Sequence, residues 1–400
     1  MKFSFAYLHR RKDFMASCVR LVVLLGCFLS AYVEGEHIQA AIRRGSVKVK
    51  GVNLGGWLVA ERWMTEDAEI WQGVPQGIAD QGEFVTMQYL GHSVGDARFE
   101  LHRSTWITEP DIAEIARSGL NAVRVPVGYW IMGAGSNSNA NTPNAGQWGV
   151  FAPGALKYLD ELINSWALRH NVAVLLSLHA HQGSQNGKDH SAAPGGGVKQ
   201  WSQYPANVDN SVELALFLAG RYRSSPAFLG MSMMNEPEYP TSPSVVMDYF
   251  RRVHQQLRSQ GDDCVLVTAP MLSEQSPAFM VDFLRGAPNV WHEWHPYFKW
   301  GLEGQNEGQL IAAAQQYGSR IAKWSGNPLV LSEWSMGVWD QFAPFADNAL
   351  YKHFGATQLA AYAPARGGYF FWSWRHSDDS KGKRSGWSMR GLLRAGLLSV

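Results

Sequence analysis

Eight short apolar runs alternate with longer amphipathic stretches, and this alternation predicts an α/β fold, a single (β/α)8 barrel with elaborated βα loops. Two further observations support it. Several runs, such as Val172-Ala173-Val174-Leu175-Leu176, are continuously apolar, as parallel strands covered on both faces are. No linker or second domain interrupts the alternation, and barrels of this kind run well beyond the usual domain size.

The strands are expected at Val47 to Trp57, Ala122 to Gly128, Val172 to His179, Phe228 to Glu236, Val265 to Pro270, Val290 to Tyr297, Leu329 to Trp334, and Gly368 to Trp374. Helices fall between them. Thr108 reads as a cap before Pro110 and Asp111, with Ile112 and Ile115 on an apolar stripe and a stop at Gly119. Pro153 to His170 repeats the scheme, with Leu156, Leu159, Leu162 and Ile163 on one face. Longer connections at Thr65 to Ser104, Gly133 to Gly149 and His181 to Gln200 read as insertions that wall a site.

Residues 1–35 read as a signal peptide: Arg10, Arg11, Lys12 and Arg20 precede the apolar run Leu21 to Val33, which is short for a membrane span. An uncleaved signal anchor is the alternative. Residues 36–400 would then be one catalytic domain of a secreted protein, extracellular or in the cell wall. Cys18 and Cys27 lie in the leader, so Cys264 alone remains in the mature chain and no intrachain disulfide is expected. Thirty-five basic against thirty-four acidic residues argue against nucleic acid as a partner. Seventeen Trp exceed what a core of this size needs, and flat sugar rings would use the surplus. A monomer is expected, with no cofactor, no metal and no obligate protein partner.

On a parallel barrel, function gathers where strands end. The fourth run ends Met233-Met234-Asn235-Glu236-Pro237 and the seventh Leu331-Ser332-Glu333-Trp334. An acidic group ending an apolar strand either finds a partner or does chemistry. A lone one is more simply a salt-bridged structural group; two at matching positions favour chemistry. Their separation, 333 − 236 = 97 residues, is about three units of a barrel whose units run ~31 residues, so they face each other from strands four and seven.

Facing carboxylates fit glycosidic cleavage: one protonates the departing oxygen while the other attacks the anomeric carbon, with retention at a separation of about 5 to 5.5 Å. Their surroundings must then push their pKa values apart. Arg124, at the second strand end, is placed to pair with Glu333, and Tyr297, at the sixth, to orient the same carboxylate. The amide of Asn235 suits a sugar 2-hydroxyl. His179 and His295 complete a polar ring, with a satisfied core histidine the competing reading for each. Trp372, within Phe370-Phe371-Trp372-Ser373-Trp374, reads as the floor beneath a sugar ring, against plain barrel packing.

Nearly the whole mature chain resembles glycoside hydrolase family 5, and within it the fungal-type exo-β-1,3-glucanases. The resemblance rests on Gly51-Val52-Asn53-Leu54-Gly55-Gly56-Trp57, Ser104-Thr105-Trp106, Asn121-Ala122-Val123-Arg124-Val125-Pro126, Leu178-His179, Gly183-Ser184-Gln185-Asn186-Gly187, Asn235-Glu236-Pro237, His295-Pro296-Tyr297, Ser332-Glu333-Trp334 and Phe371-Trp372-Ser373-Trp374. It implies Glu236 as acid/base and Glu333 as nucleophile, with Arg124, His179, Asn235, His295, Tyr297 and Trp372 around the cleaved sugar and Glu61 on the terminal glucose hydroxyls. The implied partner is a β-glucan polysaccharide or oligosaccharide. Departures stand beside it: Lys188 follows Gly187 where the family has a Phe that clamps the next glucose, and Trp300 stands near the second jaw.

Other readings stay open at this stage. Endo-β-glucanase or transglycosylase action would share the covalent intermediate. His179-Ala180-His181, with Asp189 and His190 nearby, is the pattern of a metal-dependent barrel hydrolase. A non-catalytic glucan-binding protein on the same fold is the remaining alternative.

Overall fold

Eight parallel strands close on themselves in chain order: β1 (Val49–Asn53), β2 (Ala122–Gly128), β3 (Ala173–Ala180), β4 (Phe228–Ser232), β5 (Val265–Thr268), β6 (Val290–Trp294), β7 (Leu329–Leu331) and β8 (Gly368–Phe371). The barrel expected from the alternation is the barrel found. It comes from a computed structural model that describes residues 35–136, 140–339 and 345–400. Residues 1–34, nearly all of the expected signal segment, lie outside the described residues, as do parts of two loops. No helix among the described residues is long and apolar enough to cross a membrane.

Closure is made by β1 against β8, with Val49 opposite Gly368. That position requires glycine: φ is +87°, and a Cβ there would lie 2.0 Å from the Val49 carbonyl oxygen. Alternate residues point inward, and their character changes along the axis. Val49, Ala122, Ala173, Leu175, Leu229, Val265, Val267, Trp291, Val330 and Phe370 form one apolar cluster inside the barrel, and Ile42 of the helix Ile38–Arg43 joins it. Two residues further along the same strands the inward positions turn polar: Ser177 then His179 on β3, Glu293 then His295 on and after β6, and Asn53 and Arg124 on β1 and β2. The complementary strand faces, with the surrounding helices, build the larger outer core.

Six of the eight strands stop short of the expected C-terminal ends, because the backbone leaves the ladder where the functional residues begin. Past Ser232, Met233 N still donates to Val267 O at 3.0 Å, but Glu236 sits at φ +45°, in the left-handed region. Past Phe371, Trp372 N donates to Trp334 O at 2.7 Å, and the indole of Trp374 donates to Asp111 Oδ1 at 3.0 Å. Asp111 also accepts from Thr108 N at 3.0 Å, so the expected capping box opens the helix Glu109–Arg117. The stretch expected as one helix from Pro153 is Ala155–Glu161, a wider turn at Leu162–Trp166, and Ala167–Arg169.

The first insertion differs most from its sequence reading. Within Thr65 to Ser104 lie the helices Gln76–Ala79, Glu83–Leu90 and most of His92–Trp106. The buried positions of His92–Trp106 are Gly95, Phe99, His102 and Arg103, a helical spacing without an apolar stripe. His102 Nε2 donates to Gly56 O at 2.7 Å, and Arg103 Nη2 donates to the buried Glu83 carboxylate at 3.3 Å. Polar groups that bring their own partners are buried here, so periodicity in hydrophobicity is silent. Cys264 is buried and free.

Candidate active site

The site is assembled from the residues just beyond the strands, and its centre is Arg124. This guanidinium is fully buried on β2. Nη1 donates to Glu333 Oε1 at 2.7 Å and to Asn53 Oδ1 at 3.0 Å, and Nη2 donates to Asn235 Oδ1 at 3.0 Å. Asn53 is fixed in turn, its amide donating to Ser332 O at 2.9 Å and Phe371 O at 3.1 Å. One cation thus joins the ends of β1, β2, β4 and β7. A second buried carboxylate, Glu293, lies 3.9 Å from Nη2 and accepts from Ser232 Oγ at 2.7 Å.

Glu333 receives a second donor on its other oxygen, the Tyr297 hydroxyl at 2.9 Å. Burial, with Glu333 and Glu236 beside it, holds the Tyr297 phenol well above its ordinary range, so it stays a donor. Glu236 has different company. Its Oε1 accepts from His295 Nδ1 at 2.7 Å, and Oε2 lies 3.7 Å from His190 Nε2. His295 Nδ1 is also 3.5 Å from Glu333 Oε2, and one atom from each of Glu236, His295 and Glu333 lies within 4.8 Å of the other two.

These partners set the protons, and not as expected for Glu236. Burial pushes its carboxyl up, but the hydrogen bond and charge of His295, with His190 and Arg124, prevail and hold it at about 2. Burial works to lower His295, and the charges of Glu333 and Glu236 with the Glu236 hydrogen bond overcome it and raise it. The two share one short hydrogen bond, so the fall at Glu236 and the rise at His295 are two sides of one interaction. Raising Glu236 would need a neutral neighbour at 2.7 Å, and a histidine stabilised by two carboxylates is not one.

The other expected residues surround this centre. His179 stacks on Trp372 with ring centroids 5.6 Å apart and planes at 9°, so the indole lies flat beside the imidazole. Burial first, then the neighbouring His190, Arg124 and His295, pushes His179 far below its ordinary range and keeps it neutral. Glu61 is buried with Oε2 accepting from the Trp63 indole at 2.9 Å and Oε1 unpartnered. Burial and then Asp189 raise its carboxyl well above the usual range. Asn235 Nδ2 and His295 Nε2 are likewise buried without partners, three polar atoms of the kind a polyhydroxylated ligand satisfies. Trp300 stands at the rim, 57% exposed, edge-on to Tyr297 at 5.3 Å. Lys188 leans 3.6 Å from Glu238, which Lys199 also holds at 2.7 Å.

The metal reading of His179 and His181 is not supported by their directions. A register shift against β2 falls between the partners of Leu178 and Ala180, and His181 turns outward to bond Ser211 Oγ at 2.8 Å and pack against Trp201 and Tyr249. The two imidazoles do not converge. The described group spaced to grip a cation is instead Glu236, His295 and Glu333, the residues already joined by hydrogen bonds.

Comparison with known proteins gives the family of the chain. The family described as Cellulase (glycosyl hydrolase family 5) matches residues 86–378. The chain belongs to glycosyl hydrolase family 5. As a family 5 member it is an O-glycosyl hydrolase. It is 29% identical over 406 residues to the glucan 1,3-beta-glucosidase of Blumeria graminis, covering 91% of this chain and 89% of that protein. A protein of the same name from Yarrowia lipolytica is 29% identical over 339 residues, covering 80% and 75%. In fold it resembles rutinosidase from Aspergillus niger, with a TM-score of 0.71, 19% identity, and coverage of 89% of this chain and 99% of that one. Thermotoga maritima Cel5A, with a TM-score of 0.53 and 16% identity, shares the barrel.

Several residues packed around this centre carry no mark in the sequence. His190 was weighed only as a metal ligand, yet its ring is edge-on to His179 at 5.3 Å and beside Glu236. Trp63 and Trp387 pack at 5.3 Å, and Trp387 meets Tyr297 at 5.6 Å, extending the aromatic rim. No motif marks Trp387, but Gly337 does so indirectly, since a Cβ there would lie 2.3 Å from its ring.

Breaking a buried pair leaves an uncompensated charge, at a cost of roughly 3 to 5 kcal/mol. Arg124→Met is therefore expected to lower the urea unfolding free energy by about 3 kcal/mol, and adding Glu333→Gln should recover a large part of it while activity stays absent. Equal stability of Arg124→Met and wild type would contradict the pairing.

Proposed function

We propose that this enzyme is a retaining exo-β-1,3-glucanase in which Glu333 is the nucleophile and Glu236 the acid/base, acting on a β-glucan polysaccharide or oligosaccharide. The observation that carries the assignment is the unlike company of two carboxylates whose oxygens lie within 4.8 Å: Glu333 is gripped by fixed donors, Arg124 and Tyr297, and Glu236 by a group that can give up a proton, His295. That spacing suits retention rather than inversion, which leaves about 6.5 Å or more for a water.

The steps follow from this placement. A glucosyl unit lies on Trp372, with Glu61 and Asn235 offering partners to its hydroxyls. A Glu333 oxygen attacks the anomeric carbon as the bond to the leaving oxygen breaks and Glu236 protonates that oxygen. The proton is drawn from the Glu236–His295 pair: as Glu333 becomes an ester its charge disappears, His295 loses a main source of its proton affinity, and the proton passes through Glu236. Water then enters, Glu236 takes its proton, and the ester breaks to release β-glucose. His190 bears on Glu236 from the other side and positions it.

Exo action and β-1,3 linkage draw support from the names of the fungal relatives and from buried Glu61, whose open oxygen suits a chain end. Secretion draws support from the composition of residues 1–35 alone. A time course on laminarin, a β-1,3-glucan, with the first products read by NMR, tests the reading: β-glucose alone is expected. Longer oligosaccharides would replace exo with endo cleavage and place Lys188 at an opened cleft, and α-glucose would overturn retention.

The proton pair makes a separate prediction. Because His295 is raised, the kcat/KM of the wild type should fall only as pH rises above the ordinary histidine range. In His295→Asn the falling limb should move to lower pH, and the loss should be greatest for leaving groups that need a proton. An unmoved alkaline limb would count against the relay.

A further inference from the structure

A second cavity, of about 960 Å3, opens between the loop after β1, the helix His92–Trp106 and the C-terminal segment that follows β8. Its lining includes neither Glu236 nor Glu333; His376, which does line it, packs on Trp63 with ring centroids 5.7 Å apart, and the Trp63 indole donates to Glu61. Neither the hydrolysis nor the barrel's packing uses it.

Its charges do not balance locally. Of the cations lining it, Arg390 is paired with Asp379 at 3.0 Å and Arg394 with Glu114 at 2.7 Å, and of the carboxylates Asp67 is met by Lys381 at 3.3 Å. Two cations, Arg384 and Lys383, have no carboxylate partner among the described residues, and a third, Arg375, is met only weakly by Asp111. Arg375 has its nearest at 3.9 Å, Arg384 bonds the neutral Asn348 and covers Tyr351, and Lys383 has none. One lining carboxylate, Glu69, lacks a cation in the same sense. The surplus is positive within a concave wall, the setting in which a field is concentrated on a ligand.

Arg375 is held as a recognition group is held. Its guanidinium lies over the Trp106 ring at 4.8 Å, and Nη1 is anchored on the carbonyls of Trp106 and Thr105, which fixes the plane and leaves Nη2 without an acceptor among the described residues. Beside it Ser377, only 5% exposed and lining the same cavity, has a hydroxyl with no partner. A buried orphan hydroxyl and a fixed guanidinium lining one cavity are two donors available to an oxyanion.

We propose that this cavity is a second ligand site, distinct from the catalytic one, that takes an oxyanion-bearing molecule of sugar size, a phosphate ester or a carboxylated sugar, through Arg375 and Ser377 with Lys383 and Arg384 at its mouth. No electron or group transfer is involved; the site binds.

Calorimetric titration at low ionic strength tests this on the full enzyme with glucose at saturation, using inorganic phosphate in one arm and glucuronate in the other. Saturable binding of one equivalent in at least one arm is expected, the preferred arm identifying the source of the oxyanion. Lys383→Gln/Arg384→Gln, both exposed and outside the catalytic machinery, should weaken that binding at least tenfold with laminarin hydrolysis unchanged, and Ser377→Ala at least threefold. Arg375→Gln should abolish binding, but its packing on Trp106 makes the other variants the decisive ones. No saturable binding in either arm, displacement by glucose, or undiminished affinity in the double variant and Ser377→Ala would each overturn the site.

Discussion

The ion pair between Arg124 and Glu333, 2.7 Å long and closed to solvent inside the barrel, is the constraint on which the rest of the site depends. A buried guanidinium has to spend its donors on fixed acceptors, and here these are Glu333, Asn53 and Asn235. Each acceptor comes from a different strand end. Satisfying one cation therefore sets the mutual positions of the strands that carry both carboxylates, and four residues beyond the apolar Leu175 and Trp291 the same strands bring His179 and His295 to this level. Stability and geometry are the same requirement at this point of the molecule.

The two carboxylates then differ chiefly by neighbour, Glu333 being buried and Glu236 partly so. Glu333 faces donors that cannot release a proton near neutrality. Glu236 faces two imidazoles, one within hydrogen-bond distance. On the proposed reading, a site arranged in this way need not raise Glu236 itself; it can store the proton next to it, where the charge of Glu333 holds it until that charge is consumed. At the rim, Lys188 is drawn toward Glu238, two residues beyond Glu236, while Trp300, Trp387 and Trp63 form an aromatic edge on the other side.

Much of this was legible in sequence because the barrel writes two simple signals: continuous apolar runs for strands buried on both faces, and polar residues where those runs end. Glu236, Glu333, Arg124, Asn235, His295 and Tyr297 could be placed from that alone, and the family resemblance added Glu61 and Trp300. What was not legible depends on contact rather than pattern. The helix His92–Trp106 buries His102 and Arg103, whose partners are the Gly56 carbonyl and Glu83, so no apolar period announces it. His179 and His181 look alike in the sequence, but an irregularity in β3 turns one inward and the other out to Ser211. The direction of the Glu236 shift followed from a histidine 59 positions away, which strand counting places nearby but cannot set at 2.7 Å.

The most direct measurement is to trap the covalent intermediate with a 2-deoxy-2-fluoro-β-glucoside carrying an activated leaving group, digest the protein and find the modified peptide by mass spectrometry. A single fluoroglucosyl ester on Glu333 is the expected result, with label absent when Arg124 is replaced by Met. Label on Glu236, or complete turnover of wild type with inverted product and no ester at all, would contradict the assignment of the clamped carboxylate as the nucleophile.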